Sequence, residues 1–230
     1  GGYYTRESYM VSWRKLFRSG DLGNMMGNDL TRLRDELNLT SVVNLRRGRE
    51  LEYQHEINLL NDAGIKYFSV PFLTYRQEEL NRDFSNMGEV YLFRIGHMEY
   101  VKKIIEAMYI IAEPANHPLL FHCGVGKDRS GLLAAFVLSV LNVANVDIIK
   151  DYSLSAPYMK DVVTRLMSEP GTPDDIRNLP AYTWEAAPES MELFLSTIKR
   201  KYGSVQQYLV EQGAEPALIN RLKKNLLQSQ

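Results

Sequence analysis

The sequence has one cysteine among 230 residues, which excludes an intramolecular disulfide. A chain without disulfides works in either redox compartment, so this usage fits a cytoplasmic or an exported protein. The net charge is close to zero, because the 27 basic residues nearly balance the 28 acidic ones. The chain therefore has no overall field that attracts nucleic acid or membranes. No apolar run reaches the roughly 18 residues of a transmembrane span. Repeats are absent, as is any histidine–carboxylate cluster with metal-ligand spacing. We therefore expect a soluble protein that needs no metal or other cofactor and binds no nucleic acid.

No signal peptide is visible, and a chain that starts at Gly1 is compatible with a signal already removed. The composition therefore leaves a cytoplasmic and an exported location equally open.

Strand and helix patterns alternate along the first two thirds of the chain. Residues 41–45, 65–70 and 119–121 are short and rich in apolar and β-branched side chains, as in buried strands. Residues 51–62 and 88–112 have the spacing of amphipathic helices. Alternation of this kind predicts an α/β fold with a mostly parallel central sheet flanked by helices.

The C-terminal half is expected to be helical. The predicted helices cover residues 132–141, 146–152, 157–167, 188–202, 205–212 and 217–227. The Pro- and Gly-rich segment 169–180 between them is interpreted as a surface connection, with a lid over a site as the alternative.

The most informative segment is residues 122–131, His-Cys-Gly-Val-Gly-Lys-Asp-Arg-Ser-Gly. It joins a predicted strand to a predicted helix, and its glycines permit a tight loop. Loop amides and a helix N-terminus together form a cradle for an anion. A thiol at the bottom of such a cradle ionises readily, so Cys123 is placed to attack the anion that the loop binds.

Two other interpretations of this segment are available. A lone cysteine is more often a small buried apolar residue than a nucleophile. The pair Gly126-Lys127 suggests a nucleotide-binding P-loop, but that motif needs Ser or Thr after the lysine and a glycine five residues before it. This chain has Asp128 and His122 at those positions, which excludes the nucleotide loop.

The segment resembles the H-C-x-x-G-x-x-R-[S/T] loop of the cysteine-dependent protein tyrosine phosphatase superfamily. Its fuller form, Gly-Lys-Asp-Arg-Ser-Gly, is similar to bacterial-type tyrosine phosphatases that also act on phosphoinositides. The further matching segments are Leu16–Gly20, Val42–Arg46 followed by Glu50, Asp151–Ser155 and Tyr202–Val205. The group has Asp where this chain has Asn44, so the pairing of that Asp with a neighbouring arginine stays open.

The resemblance covers nearly the whole chain and implies one phosphotyrosine-phosphatase-like domain of three layers over residues 1–230, with a helical extension from about residue 145. It implies a covalent mechanism in which Cys123 attacks phosphorus and Arg129 holds two phosphate oxygens. Ser130 is placed to donate a hydrogen bond to the sulfur, with a plain helix N-cap as the alternative. His122 is expected to order the loop. The residues expected to bind the substrate phosphate are His122, Gly124, Val125, Gly126 and Lys127.

The general acid is less clearly marked. Asp128 lies in the cradle itself, whereas many phosphatases of the superfamily bring an Asp from a separate loop. That loop corresponds to residues 71–84, which offer Glu78, Glu79 and Asp83. We favour Asp128 over Asp83, with a structural carboxylate bonded to loop amides as the alternative for Asp128.

Lys127 bears on the substrate class. Phosphoinositide phosphatases of the superfamily carry a basic residue at this position of the loop, so Lys127 is expected as a second cation at the pocket rim, with a solvated loop lysine as the alternative. Two interpretations are open for the further basic residues, an extension of that rim or solvated charges on helices and loops; these residues are Arg46, Arg47, Arg49, Lys102 and Lys103.

The sequence thus predicts a phosphatase of phosphotyrosine, with phosphoserine, phosphothreonine and phosphoinositides as further candidate substrates. Two alternatives remain. The first is a phosphate-binding module without turnover, against which the intact Cys123 and Arg129 argue. The second is another cysteine enzyme, such as a sulfurtransferase or arsenate reductase. Sulfurtransferases seldom need Arg129 and Ser130 together, and arsenate reductases usually recruit further cysteines.

Overall fold

The computed structural model describes residues 1–47, 54–73, 78–79 and 82–229. Four parallel strands form its central sheet, in the order β2–β5–β3–β4. These strands are β2 (Leu16–Ser19), β3 (Ser41–Asn44), β4 (Lys66–Ser69) and β5 (Leu119–His122). A separate antiparallel pair joins the two ends of the chain, β1 (Met10–Val11) with β6 (Leu227–Gln228). The predicted parallel sheet is confirmed.

Helices account for most of the remaining chain. Before the cysteine they are α1 (Gly27–Thr31, continued by a π-helical turn, Arg32–Glu36), α2 (Gln54–Asp62), α3 (Met87–Ile95) and α4 (Met98–Ile111). After it they are α5 (Asp128–Val140), α6 (Asn145–Ser153), α7 (Ala156–Ser168), α8 (Asp174–Arg177), α9 (Pro188–Tyr202), α10 (Val205–Glu211) and α11 (Pro216–Leu226). The helical C-terminal half is confirmed. Arg49, Glu50 and the start of the helix predicted over residues 51–62 lie outside the described residues.

The sheet is covered on both faces, which makes three layers. Val42 and Leu120 face a smaller apolar cluster that contains Leu60 of α2. Val43 and Phe121, one position along each strand, face the larger cluster, formed with α3 to α6 and α9 to α11. Adjacent strand residues point to opposite faces, so a strand covered on both sides needs apolar side chains at consecutive positions. Each fully buried aliphatic side chain contributes about 1.5–3 kcal/mol to the stability of this arrangement.

The helix predicted over residues 88–112 is two helices in the structure. Gly96 caps the end of α3, and His97 is extended, with φ −98° and ψ 116°, before α4 begins. Glycine is the least favourable helix residue after proline, so a break here costs little. Both helices bury apolar faces in the larger cluster, including Tyr91 and Tyr100, and this continuous apolar pattern concealed the break.

None of the helices in the described part of the chain combines the length and apolarity needed to cross a bilayer.

Candidate active site

Cys123 directly follows β5, at the carboxyl end of the central sheet, where ligands bind in open α/β folds. The loop 123–127 then leads into α5, whose first residue is Asp128. The sequence prediction of a strand, a loop and a helix around the cysteine is therefore confirmed. We refer to residues 123–129 as the catalytic loop.

The thiol of Cys123 lies at the bottom of this loop and is only 1% exposed. The Ser130 hydroxyl approaches it, with Oγ 3.3 Å from Sγ. Ser130 is itself fully buried. A hydroxyl at this distance can donate to a sulfur that carries negative charge, as the sequence predicted.

The guanidinium group of Arg129 lies along the inner side of the loop. Its Nη1 is 3.5 Å from the carbonyl oxygen of Leu45, just after β3. A Cβ atom added to Gly124 would lie 3.5 Å from Nη2 of Arg129, so the fork faces the first residue after the cysteine. A planar fork in this position suits two oxygens of a phosphate group.

A second layer of residues supports the loop from behind. Arg18 at the end of β2 donates from Nη1 to the carbonyl oxygen of Gly126 at 3.0 Å. The same side chain bonds to the Asp151 carbonyl oxygen at 2.6 Å, the Asp151 carboxylate at 3.2 Å and the Ser155 hydroxyl at 3.1 Å. Arg18 and Asp151 lie in two of the motif segments of the sequence, whose spacing alone gives neither residue a role.

Gly126 explains why the segment after β2 follows the loop so closely. Its φ is +73°, in the left-handed region that side chains with a Cβ seldom adopt. An added Cβ would lie only 2.8 Å from the backbone nitrogen of Gly20 and the carbonyl oxygen of Ser19. The loop therefore reaches this shape because glycine occupies position 126.

A buried charge network lies beneath the histidine of the motif. His122 Nε2 is 3.3 Å from Glu56 Oε1, and both side chains are fully buried. Arg46 bonds to the other oxygen of Glu56 at 2.6 Å and also pairs with Asp21. Burial alone would raise the pKa of Glu56, but His122 and Arg46 outweigh it and hold that pKa below its usual range.

This network corrects the expected exposure of Arg46 and shows which carboxylates pair with it. Arg46 was expected as part of an exposed basic rim, but it is buried among carboxylates. The amide of Asn44 accepts from the backbone nitrogen of Arg46 at 2.8 Å and from its Nε at 3.0 Å. The negative charge that an Asp would supply at position 44 comes instead from Glu56 and Asp21.

Asp128 is the carboxylate next to Arg129 in the site. Its Oδ1 accepts a hydrogen bond of 2.6 Å from the hydroxyl of Tyr91, which lies 2.8 Å from the hydroxyl of Tyr152. Burial, with the neighbouring Asp128 carboxylate, raises the pKa of Tyr91 well above its usual value, so this phenol stays a donor. The Asp128 side chain remains 18% exposed toward the pocket.

The competing carboxylates are placed differently. Asp83 is exposed and is not among the residues that line the pocket beside Arg129. Glu79 does line it, but both of its oxygens accept from Arg94, at 2.7 and 2.9 Å. Glu78 is largely exposed near His97.

Lys127 does not lie at a solvated rim. Its side chain is 0% exposed, and its ammonium bonds to the carbonyl oxygens of Thr183 and of Glu185, the latter at 2.8 Å. A third contact, of 3.3 Å, reaches Asp128 Oδ1. Lys102 and Lys103 lie on α4 and pair with glutamates of the same helix.

A cavity of about 280 Å³ opens beside Asp128 and Arg129. Its other lining residues are Arg47, Glu79, Arg82, Phe84, Met87, Val90, Arg94, Ile176, Leu179, Pro180, Tyr182 and Thr183. Residues 179–185, here called the pocket wall, form one side of it. The segment expected as a surface connection thus ends at the site. Arg177 anchors that segment by donating to the carbonyl oxygens of Met167 and Glu169, both at 2.6 Å.

Across the described residues, no three histidine, cysteine or carboxylate side chains converge on a point that would hold a metal ion.

A family model described as the tyrosine phosphatase family matches residues 1–228. The chain belongs to the tyrosine phosphatase family. Among curated relatives of this family member, a tyrosine-protein phosphatase of Nostoc commune is 27% identical over 229 residues, covering 92% of this chain and 74% of the relative. The triple specificity protein phosphatase PtpB of Mycobacterium tuberculosis is 27% identical over 124 residues, covering 49% of this chain and 45% of PtpB.

Among solved structures, the core catalytic domain of the PP-IP phosphatase SIW14 from S. cerevisiae is 22% identical, with a TM-score of 0.45. The match covers 63% of this chain and 74% of that one.

Proposed function

We propose that this protein hydrolyses phosphate monoesters through a cysteinyl-phosphate intermediate. The observation that carries the proposal is the thiol of Cys123 at the base of the loop, 3.3 Å from the Ser130 hydroxyl. Arg129 and the start of α5 complete the same loop. Membership of the tyrosine phosphatase family supports the same reaction class.

In the first step the thiolate of Cys123 attacks phosphorus, forming an S–P bond as the ester O–P bond breaks. Asp128 transfers a proton to the departing oxygen, which leaves as an alcohol or a phenol. Arg129 and the loop amides hold the non-bridging oxygens throughout, because charge moves over those oxygens as phosphorus is transferred.

In the second step the Asp128 carboxylate takes a proton from a water molecule, and the water oxygen attacks the phosphorus of the intermediate. The S–P bond breaks, inorganic phosphate forms and the thiolate returns. The Ser130 hydroxyl, donating to the sulfur, stabilises the negative charge that this step restores to Cys123.

We propose phosphotyrosine as the first candidate substrate, because the cavity beside Arg129 has an apolar side on which an aromatic ring can pack. Phe84, Met87, Leu179 and Tyr182 contribute to that side. Phosphoserine, phosphothreonine and phosphoinositides are the further candidates. The relative PtpB, matched over about half of this chain, is a triple specificity protein phosphatase.

The test of this proposal is phosphate release measured on peptides carrying each phosphorylated residue and on mono- and polyphosphorylated inositol lipids. We expect turnover on phosphotyrosine peptides without added metal. Absence of turnover on every substrate would contradict the assignment and favour a phosphate-binding module.

Asp128→Asn should reduce turnover most for substrates whose leaving group is a weak acid and needs a proton to depart. A general acid contributes about 10²- to 10⁴-fold, so a phosphoserine or phenyl ester should lose that factor. An ester of an acidic phenol, such as 4-nitrophenyl phosphate, should lose far less in the step that forms the intermediate. The measurement is single-turnover release of the alcohol or phenol across a series of esters.

Asp83→Asn is the matched control and should leave the whole series unchanged, because Asp83 is exposed and outside the pocket lining. If the Asp83 variant acquired the leaving-group dependence and the Asp128 variant did not, the two roles would have to be exchanged.

A further inference from the structure

The ammonium group of Lys127 is paired with protein groups. It donates hydrogen bonds to the carbonyl oxygens of Thr183 and Glu185, and Oδ1 of Asp128 lies 3.3 Å away as its ion-pair partner. The side chain is fully buried, and a buried charge is tolerated only when it is paired and hydrogen-bonded. Turning this group toward a ligand would leave the wall carbonyls without their donor.

The two carbonyl acceptors belong to the pocket wall, 56 and 58 residues further along the chain. The wall's own backbone bonds, from Thr183 to Pro180 and from Glu185 to Tyr182, are local and shape its turns without fixing their position. The bonds from Lys127 connect these turns to the catalytic loop. They hold the wall beside the cavity that contains Asp128 and Arg129.

An ion-pair contact connects the same lysine to the carboxylate that we assign as general acid. Oδ1 of Asp128 accepts the hydrogen bond from the Tyr91 hydroxyl and also lies 3.3 Å from the Lys127 ammonium. A hydrogen bond and an ion pair on the same oxygen orient the carboxylate and leave Oδ2 as the oxygen that would exchange a proton with substrate.

We propose that Lys127 is a positioning residue that fastens the pocket wall to the catalytic loop and orients Asp128, and that it does not bind a second phosphate of the substrate. The expected effect of Lys127 on turnover rests on the proposed function, whereas its expected role in holding the pocket wall does not. The preference between substrates with one and with two phosphates should then be independent of Lys127.

The first experiment labels the unmodified protein with an amine-reactive reagent and locates the modified lysines by mass spectrometry. Lys127 should stay protected in the folded protein, whereas the exposed Lys102, paired with Glu99 on the surface of the same helix, should be modified. Labelling of Lys127 as fast as Lys102 would overturn the proposal. This measurement needs neither activity nor a variant that folds.

The second experiment uses Lys127→Met in a Trp13→Phe background, which leaves Trp184 in the wall as the only tryptophan. Quenching of Trp184 by acrylamide should increase by about twofold as the wall opens locally. The ratio kcat/KM should fall about 10- to 100-fold, by the same factor for a phosphotyrosine peptide and for an inositol bisphosphate lipid. Lys102→Met is the control and should change neither quantity.

A loss confined to the bisphosphate substrate, with Trp184 quenching unchanged, would mean that Lys127 binds the second phosphate. If the methionine variant does not fold, Lys127→Gln keeps a neutral donor at this position and is compared in the same way. If the parent protein has no turnover, the labelling and the quenching still decide the structural role of Lys127.

Discussion

Replacing Cys123 with serine should lower turnover by about 10⁴-fold or more, while the protein continues to bind phosphate analogues. The serine hydroxyl nearly matches the thiol in size, so the loop, the start of α5 and Arg129 should keep their positions. What disappears is the nucleophile, because a serine hydroxyl is a weak nucleophile unless an adjacent base activates it. Cys123 is the only cysteine in the chain, so no other thiol can replace it.

The two halves of this prediction are measured separately. Turnover is followed on a phosphotyrosine peptide, and binding of tungstate or sulfate by calorimetry. Residual activity within about tenfold of the parent would contradict covalent catalysis, since a lost nucleophile costs far more than that. Loss of both turnover and anion binding would mean that the serine disturbs the loop, and Cys123→Ala would then be needed to separate the two effects.

Arg129→Lys should reduce kcat by about 10³-fold, or about 4 kcal/mol, although the positive charge is retained. Lysine presents a single ammonium point, whereas arginine presents a planar fork that matches two phosphate oxygens. The lysine side chain is also shorter, so its ammonium cannot reach the place beside Gly124 and the Leu45 carbonyl oxygen that the guanidinium occupies. Most of the loss should therefore appear in kcat, because charge on those oxygens shifts during the reaction.

Arg32→Lys is the matched control, since Arg32 is exposed on the π-helical turn and pairs only with Glu36 of the same turn in the contacts described. It should leave kcat and the melting temperature unchanged. An Arg129→Lys variant with full activity would mean that a point charge suffices and that the fork has no role in holding the phosphate.

The sequence predicted the parts of the fold that have strong local patterns. The strands around Val42 and Phe121 are apolar on both faces, which is typical of a central parallel strand. The edge strand β2 was missed as a strand because Leu-Phe-Arg-Ser mixes apolar and polar side chains, all of which are half-buried. Its arginine is used for the catalytic loop rather than for the core.

Side-chain direction in the loop was harder to predict than backbone structure. The motif spacing predicted Ser130 beside the sulfur, and its Oγ lies 3.3 Å from Sγ in the structure. The spacing could not indicate whether Lys127 points outward to solvent or inward to a distant segment. Its partners at Thr183 and Glu185 come from a wall that no local pattern connects to residue 127.

The same limit applies to the network below the loop. Arg46 lies just after β3 and was expected among exposed basic residues. Its burial depends on Glu56 from α2 and Asp21 from the segment after β2, two elements that meet it only in the folded chain. The partners of a buried arginine are set by the tertiary structure. The sequence alone indicated only that Asn44 removes one carboxylate that could pair with a neighbouring arginine.

The central claim is that the phosphoryl group is transferred to the sulfur of Cys123 before it reaches water. Trapping this cysteinyl-phosphate intermediate tests the claim most directly. The protein is mixed with excess substrate, quenched in acid within one turnover, digested and measured by mass spectrometry. We predict one phosphoryl group on the peptide that contains Cys123, absent from the Cys123→Ser variant and from protein quenched without substrate. Steady turnover with no phosphoryl group on Cys123 at any quench time, or with the group on another residue, would contradict the mechanism.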